Sequence, residues 1–299
     1  MFTVKRICLM HIIPAGVCIG LITAGTFWDK AVSDALYSRG NFPMLIVSVL
    51  GQYLFSAVFI FIAGVLCRQA VISDAHAAKR TAGAAVLGIS ALIMGIRGLD
   101  HVLDTENIGA LLPDTEFSLG ARLLMLMVFM LSLFFIGLWL SPREYDRALA
   151  RRLTEVLLYL LAALIVLALL KSSFARPRYR FTLMGTDGID FLPWYASMGS
   201  AKQAEELYGI TGVQAFASFP SGHSLISMIH VIALPCMAYI FPGLKKRAGL
   251  LFVTGACFGF CVMLSRIVLG AHYLSDVGTG GLVALAVSFV FFMVHRVKN

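Results

Sequence analysis

Charge is scarce in this 299-residue chain: Asp, Glu, Lys and Arg make up only 13% of it, about half of the roughly 25% usual in soluble domains. That shortage excludes an ordinary water-soluble globule, because 59% of the residues are hydrophobic and too few polar ones remain to furnish a wet surface. Cysteine is sparse as well. The six present (Cys8, Cys18, Cys67, Cys236, Cys257 and Cys261) all fall in apolar stretches, at spacings that suit neither a disulfide framework nor a zinc site. The sequence has no internal repeat and no low-complexity tract, which excludes solenoids and disordered linkers.

What is present is a series of long apolar runs. A membrane-crossing helix needs about 20 such residues, and eight runs qualify: 7–27, 43–67, 81–99, 119–140, 153–170, 221–241, 249–266 and 274–294. They are too long and too uniformly apolar for strands, and barrel strands would alternate. The expected fold is all-α, a polytopic bundle of about eight transmembrane helices, with residues 1–299 forming one integral-membrane domain.

The net charge is +8, and its distribution is more informative than its size. With the amino terminus on the cytoplasmic side, the inner segments and span ends hold 14 of the 24 Lys and Arg but only four of the 16 Asp and Glu. That is the positive-inside pattern. It explains the basic balance without a nucleic-acid partner; both termini are expected on the cytoplasmic side, in a bacterial-type cytoplasmic membrane. Lys5 and Arg6 ahead of an apolar run resemble a secretory signal, but no small-residue cleavage site follows, so the first run reads as a retained span.

Two connections are long. Residues 100–118 carry Asp100, Asp104, Glu106, Asp114 and Glu116 and read as a solvated acidic loop. Residues 171–220 open with clustered cations and contain Phe191, Trp194 and Tyr195. Aromatics of this kind sit at the headgroup level, so 191–195 is expected to act as a lid or interfacial anchor, and 201–208 to form a short surface helix. Gly255 and Gly259, four apart in one span, predict close helix contact.

Three polar groups of residues break the apolar background, and in this threading all three fall on the outer side. The first runs from Lys171 to Tyr179 and includes Arg176, Pro177 and Arg178. The second is Pro220-Ser221-Gly222-His223. The third is Ser265-Arg266, five residues, His272, three residues, Asp276. Lys171, Arg176, Arg178 and Arg266 supply fixed cations, and a guanidinium matches phosphate oxygens with a planar fork of donors. Ser-Gly at a helix start leaves backbone N–H groups aimed at an anion. His272 and Asp276 share a helical face, so the carboxylate can hold one ring N–H and leave the other nitrogen to attack. His223, beside the cradle, is a candidate acid. Nucleophile, orienting group, anion cradle and acid make a set for phosphoryl transfer.

Each piece has a plainer explanation, such as a snorkelling lysine or a helix-stabilising His-Asp pair. Their joint occurrence at one face argues for chemistry, because ionisable groups beside apolar spans are costly. The remaining histidines stay outside the set: His11 and His230 lie in apolar spans, His76 and His295 on the inner side, and His101 in the acidic loop.

These blocks resemble the signature of the type-2 phosphatidic acid phosphatase superfamily, which includes lipid phosphate phosphatases, glucose-6-phosphatases and vanadium haloperoxidases. That signature is Lys, six residues, Arg-Pro; then Pro-Ser-Gly-His; then Ser-Arg, five residues, His, three residues, Asp. The second and third blocks match residue for residue. In the first, Arg178 has the family spacing from Lys171 but is followed by Tyr179, and an Arg-Pro pair stands two positions earlier at Arg176-Pro177.

The resemblance implies that His272 is a nucleophile forming a phosphohistidine, that Asp276 orients it, and that His223 protonates the leaving group. Lys171, Arg178, Ser221, Gly222 and Arg266 would bind the phosphoryl group, with Arg176 auxiliary. It implies no metal and no other cofactor. The motif region covers residues 171–276. The family core has six spans, so 81–140 is expected as an inserted hairpin, unless the first two spans are the addition. The implied function is hydrolysis, at the extracytoplasmic face, of a lipid phosphate or pyrophosphate of the polyprenyl pyrophosphate, phosphatidic acid or phosphatidylglycerol phosphate class. The expected partners are the phosphorylated lipid and the surrounding membrane lipids, with no obligate protein partner. Competing readings are a lipid phosphotransferase using the same intermediate and a non-catalytic phospholipid transporter or binder. Intact His223, His272 and Asp276 argue against the last of these.

Overall fold

The computed structural model describes residues 2–103, 118–184, 189–196, 198–209 and 215–295, and among these the architecture is all-α. The first three helices are α1 (Val4–Leu36), α2 (Phe42–Val71) and α3 (Ala77–Leu103). A fourth span, Leu119–Leu140, is assembled from α4 (Leu119–Met125), a π-helical segment (Leu126–Leu131) and α5 (Ser132–Leu140). Helix α6 (Arg147–Ser173) is followed by a connection holding α7 (Tyr179–Thr182) and α8 (Ala201–Tyr208). The sixth span, Gly222–Tyr239, comprises α9 (Gly222–Met228), α10 (His230–Cys236) and a closing 3-10 turn. Helices α11 (Ala248–Val268) and α12 (Leu274–Val294) complete the chain. Eight of these segments are long and apolar enough to cross a membrane, which fits an integral membrane protein.

Five of the spans outrun the apolar stretches that signal them, the fourth and eighth coincide with theirs, and the sixth, Gly222–Tyr239, is shorter than the expected 221–241. Helix α1 has 33 residues, about 50 Å at 1.5 Å per residue, whereas the hydrocarbon layer is about 30 Å thick. Its last turns carry Asp29, Lys30 and Asp34. Helix α8 matches the expected surface helix and is fixed by a capping box between Ser200 and Gln203. The acidic connection falls largely on 104–117, outside the described residues. On its flank, exposed Asp100 lies 3.7 Å from exposed Arg122.

Two compact units are distinguished. One comprises Val49–Tyr159 and Ala233–Ala248 and takes in the 81–140 segment. Its helices meet backbone to backbone: a Cβ on Gly64 would lie 2.1 Å from the Phe134 carbonyl oxygen, and one on Gly137 2.2 Å from that of Phe61. Small residues permit such approach in a membrane, where packing replaces the hydrophobic drive. Gln69 secures the connection into α6, donating to the Ser141 hydroxyl and the Pro142 carbonyl at 3.1 Å each and accepting from Asp146 N at 2.8 Å.

The other unit comprises Met1–Ser48, Leu160–Ile232 and Gly249–Asn299 and contains all the candidate site residues. Here α1 lies against α12. A Cβ on Gly25 would fall 2.6 Å from Ser275 N, and one on Gly278 2.8 Å from the Cys18 carbonyl oxygen. This close approach brings Asp29 to the start of α12. Gly255 touches the His230 backbone, where a Cβ would lie 2.6 Å from the carbonyl carbon, as the glycine pair in that span predicts. His11 and His230 are buried and donate from Nδ1 to helix carbonyls, of Ile7 at 2.8 Å and Ser227 at 2.9 Å.

Gly137→Ala should destabilise the protein by on the order of 1–3 kcal/mol, since the clash is with backbone and cannot be relieved by a rotamer change. Gly88→Ala, with nothing within 4 Å of the added carbon, should leave stability unchanged or slightly raised. Unfolding midpoints in detergent check both, and equal midpoints for the two variants would contradict the packing described.

Candidate active site

The three polar blocks all sit at span ends. Lys171 closes α6, Ser221 caps the start of α9, Arg266 lies in the last turn of α11, and His272 stands two residues before α12. Because successive spans run in alternate directions, the end of the fifth, the start of the sixth, the end of the seventh and the start of the eighth share one side.

Backbone hydrogen bonds then tie the blocks together. Arg176 N donates to the Phe216 carbonyl at 2.7 Å, Arg178 N to that of Ala215 at 2.9 Å, and Ser218 N returns to Arg176 at 3.1 Å. The result is an isolated parallel bridge between Arg176 and Ala217. Ser221 N donates to the Asp276 carbonyl at 3.0 Å, joining the second block to the third. The turn before His272 is closed by Ala271 N and His272 N, which reach the Arg266 carbonyl at 3.0 and 3.2 Å. Gly270 occupies that turn with φ +65°, a left-handed conformation that glycine adopts without steric cost. A Cβ there would also strike the Tyr37 ring at 2.5 Å.

His272 is 1% exposed. Its Nδ1 lies 2.7 Å from the Ser218 carbonyl oxygen. A carbonyl can only accept, so Nδ1 carries the proton and, in the neutral ring, Nε2 keeps its lone pair. The sequence reading gave the orienting role to Asp276, but its Oδ2 lies 3.7 Å from Nδ1, an electrostatic contact rather than a hydrogen bond. Asp276 instead accepts from Arg176 Nη1 at 2.5 Å, the Ser218 hydroxyl at 2.6 Å and Tyr273 N at 2.9 Å. Ser218 therefore mediates, its carbonyl taking the His272 proton while its hydroxyl donates to the carboxylate. Burial, reinforced by the Arg178 and Arg266 cations, outweighs the opposing attraction of Asp276 and pushes the His272 pKa down to about 3.

Of the other expected residues, Arg178 and Arg266 act electrostatically on this ring. Arg178 and Arg266 are buried, and Arg266 Nη1 donates to the Ser48 hydroxyl at 2.7 Å. Half-buried Lys171 donates from Nζ to the Ala217 carbonyl at 2.8 Å. It runs beside Gly222, where a Cβ would lie 3.6 Å from Lys171 Cε. The Ser221 hydroxyl accepts from Ser224 N at 3.3 Å and from the Ser224 hydroxyl at 2.9 Å, and keeps its own proton as a donor. His223 is half-buried in the first turn of α9.

Arg176 is placed differently from its expected auxiliary phosphate role. Only 1% exposed, it donates to Asp29 from Nη2 at 2.8 Å, to Asp276 and Ser275 from Nη1 at 2.5 and 2.9 Å, and to the Leu192 carbonyl from Nε at 2.7 Å. The rings of Tyr273 and Phe191 lie 4.1 and 5.5 Å from its guanidinium carbon. Four of its five N–H donors are spent on the protein.

Sequence reasoning missed Asp29, Ser218 and Ser275. A carboxylate just past an apolar run was a signal available for Asp29; the two serines carried none. In the aromatic segment, Trp194 donates from Nε1 to the Thr26 hydroxyl at 3.0 Å and stacks on Phe219 with centroids 6.0 Å apart. That places it beside Pro220, at the edge of the second block. Among the described residues, no group of three or more His, Cys, Asp and Glu is arranged to hold a metal ion.

Residues 152–299 match the family model described as the PAP2 superfamily, a region that contains all three polar blocks. No curated protein and no solved structure matches the chain.

A buried neutral His272 has a measurable consequence for stability. Its ordinary value is 6.5, so between pH 6.5 and about 3 the unfolded chain binds a proton that the folded site refuses. The contribution is complete above pH 6.5 and lost as pH falls toward 3, with a slope of at most about 1.4 kcal/mol per pH unit. His272→Gln should flatten the acid-side decline of the unfolding midpoint, and identical pH dependence in wild type and variant would contradict the neutral ring.

Proposed function

We propose, for a chain that belongs to the PAP2 superfamily through residues 152–299, that this site is a lipid phosphatase acting through a phosphohistidine at His272. Membership supports a phosphatase-type hydrolase acting on phosphate esters. The observation that carries the finer reading is the Nδ1–H bond of His272 to Ser218, which leaves Nε2 as a nucleophile beside buried Arg178 and Arg266.

In the first step, the Nε2 lone pair forms a bond to phosphorus as the bond to the lipid oxygen breaks. His223 gives that oxygen a proton, so the leaving group departs as an alcohol, or as a lipid monophosphate when the substrate is a pyrophosphate. Water then attacks phosphorus, the P–N bond breaks back to His272, and His223 recovers a proton from the water. Inorganic phosphate leaves. Arg178, Arg266 and Lys171, with the Ser221 hydroxyl and the Gly222 backbone, hold the phosphoryl oxygens, where fixed charge in a dry site is most effective. The span-end location supports a lipid substrate, whose headgroup would reach His272 while its chains stay between helices. The positive-inside distribution supports an extracytoplasmic site.

Phosphate release from a panel of purified lipid phosphates in the presence of EDTA tests this. The panel contains a polyprenyl pyrophosphate, phosphatidic acid and phosphatidylglycerol phosphate. Wild type should release phosphate from at least one, and His272→Ala should lose the activity by at least about a thousandfold, as when a nucleophile is removed. Release that survives His272→Ala would overturn the assignment. A folded wild type releasing nothing, but passing phosphoryl groups to an added lipid alcohol, would make the enzyme a phosphotransferase.

A further inference from the structure

Asp29 lies on α1, remote in sequence from every motif residue, and is 1% exposed. Its Oδ2 accepts from Arg176 Nη2 at 2.8 Å and from the Ser275 hydroxyl in a short hydrogen bond, while its Oδ1 accepts from Ser275 N at 3.0 Å. Arg176 is therefore clamped between two carboxylates, Asp29 and Asp276, in a pocket that excludes water.

The charges in this cluster do not cancel. Asp29 and Asp276 each accept from three donors, as ionised carboxylates do, and two such groups facing one guanidinium leave one net negative charge next to His272. Were Arg176 matched only by Asp276, the cation at 2.5 Å would neutralise the carboxylate that stands 3.7 Å from the His272 ring. During phosphoryl transfer the ring keeps its Nδ1 proton while Nε2 bonds to phosphorus, so it becomes more positive. The surroundings of His272 otherwise work against that change, because Arg178 and Arg266 face it as well. A positive ring needs an unspent negative charge beneath it.

We propose that Asp29 is a positioning and charge-balancing residue of the active site: it holds and neutralises Arg176, so that Asp276 keeps its charge for His272. This rests on the reading of His272 as nucleophile. Asp29 touches neither His272 nor the expected phosphate position, and acts through Arg176 and Asp276.

Asp29→Asn keeps the size and an acceptor for Ser275 N but removes the charge. It should lower kcat roughly ten- to a hundredfold, as loss of an outer-shell partner of a histidine does, with KM nearly unchanged. The acid limb of the kcat profile should move to lower pH by about one unit, because less negative charge faces the ring. The groups facing His272 are Asp276 on α12, Arg178 after α6 and Arg266 on α11; all are retained, so the shift reports Asp29 alone. Asp29→Glu, which keeps the charge, should keep the wild-type limb. The double variant Asp29→Asn with Arg176→Gln restores one net negative charge, and its kcat should exceed that of Asp29→Asn alone.

Wild-type kcat and an unshifted limb in Asp29→Asn would overturn the proposal, as would a double variant no faster than the single one. The pH limb separates this role from a merely structural one, since relief of a stranded buried guanidinium restores stability in the double variant by itself, whereas only a change of charge at His272 moves the limb and moves it back. His272→Ala run alongside separates the two levels: an active His272→Ala sinks the nucleophile reading, whereas an inactive one with an unaffected Asp29→Asn sinks only the role of Asp29.

Discussion

A single guanidinium, that of Arg176, organises the site. It is fully buried, and its N–H groups go to two carboxylates, one hydroxyl and one carbonyl. Burying a charge is tolerable only when its partners are in place, and removing one partner of a buried pair typically costs about 3–5 kcal/mol. The chain must therefore bring α1, the segment after α6 and the start of α12 to one point before any of these charges can be dehydrated. The same point reaches His272 through Asp276, whose Oδ2 lies 3.7 Å from the ring. Folding of this unit and the placing of His272 are in that sense one event.

Close helix contact makes the convergence possible. Gly25 on α1 and Gly278 on α12 leave no room for a side chain between the helices, and Asp29 consequently meets Ser275 rather than lipid. The backbone bonds between 175–178 and 215–218, and from Ser221 to Asp276, fix the remaining blocks relative to that junction. Ser218 takes a place in both systems. Its carbonyl fixes the tautomer of His272, and its hydroxyl donates to Asp276 Oδ2, the carboxylate oxygen 3.7 Å from the ring.

Much of this was legible in the sequence where the signal is local. Apolar runs located eight spans, and the Ser200–Gln203 box marks a helix whose bounds coincide with those expected. Five of the spans proved longer than their runs because helix ends tolerate charge: α1 continues through Asp29 to Leu36. The motif residues were found because they are polar, closely spaced and out of place among apolar neighbours. What could not be read was pairing across the chain. Arg176 and Arg178 are two residues apart and chemically identical, yet one is spent on Asp29 and Asp276 while the other faces His272. Nothing near them in sequence distinguishes the two, since the deciding carboxylates are 147 and 100 residues away. The spacing of His272 and Asp276 likewise suggested a direct hydrogen bond, and only the fold shows Ser218 standing between them.

The measurement that tests the account most directly is recovery of the covalent intermediate. Enzyme mixed with a radiolabelled lipid phosphate and quenched in alkali within a single turnover should carry phosphate that is stable to base, labile to acid and located on the peptide containing His272. Turnover with no labelled enzyme at any quench time, or label on His223 instead, would contradict the assignment of His272 as the nucleophile.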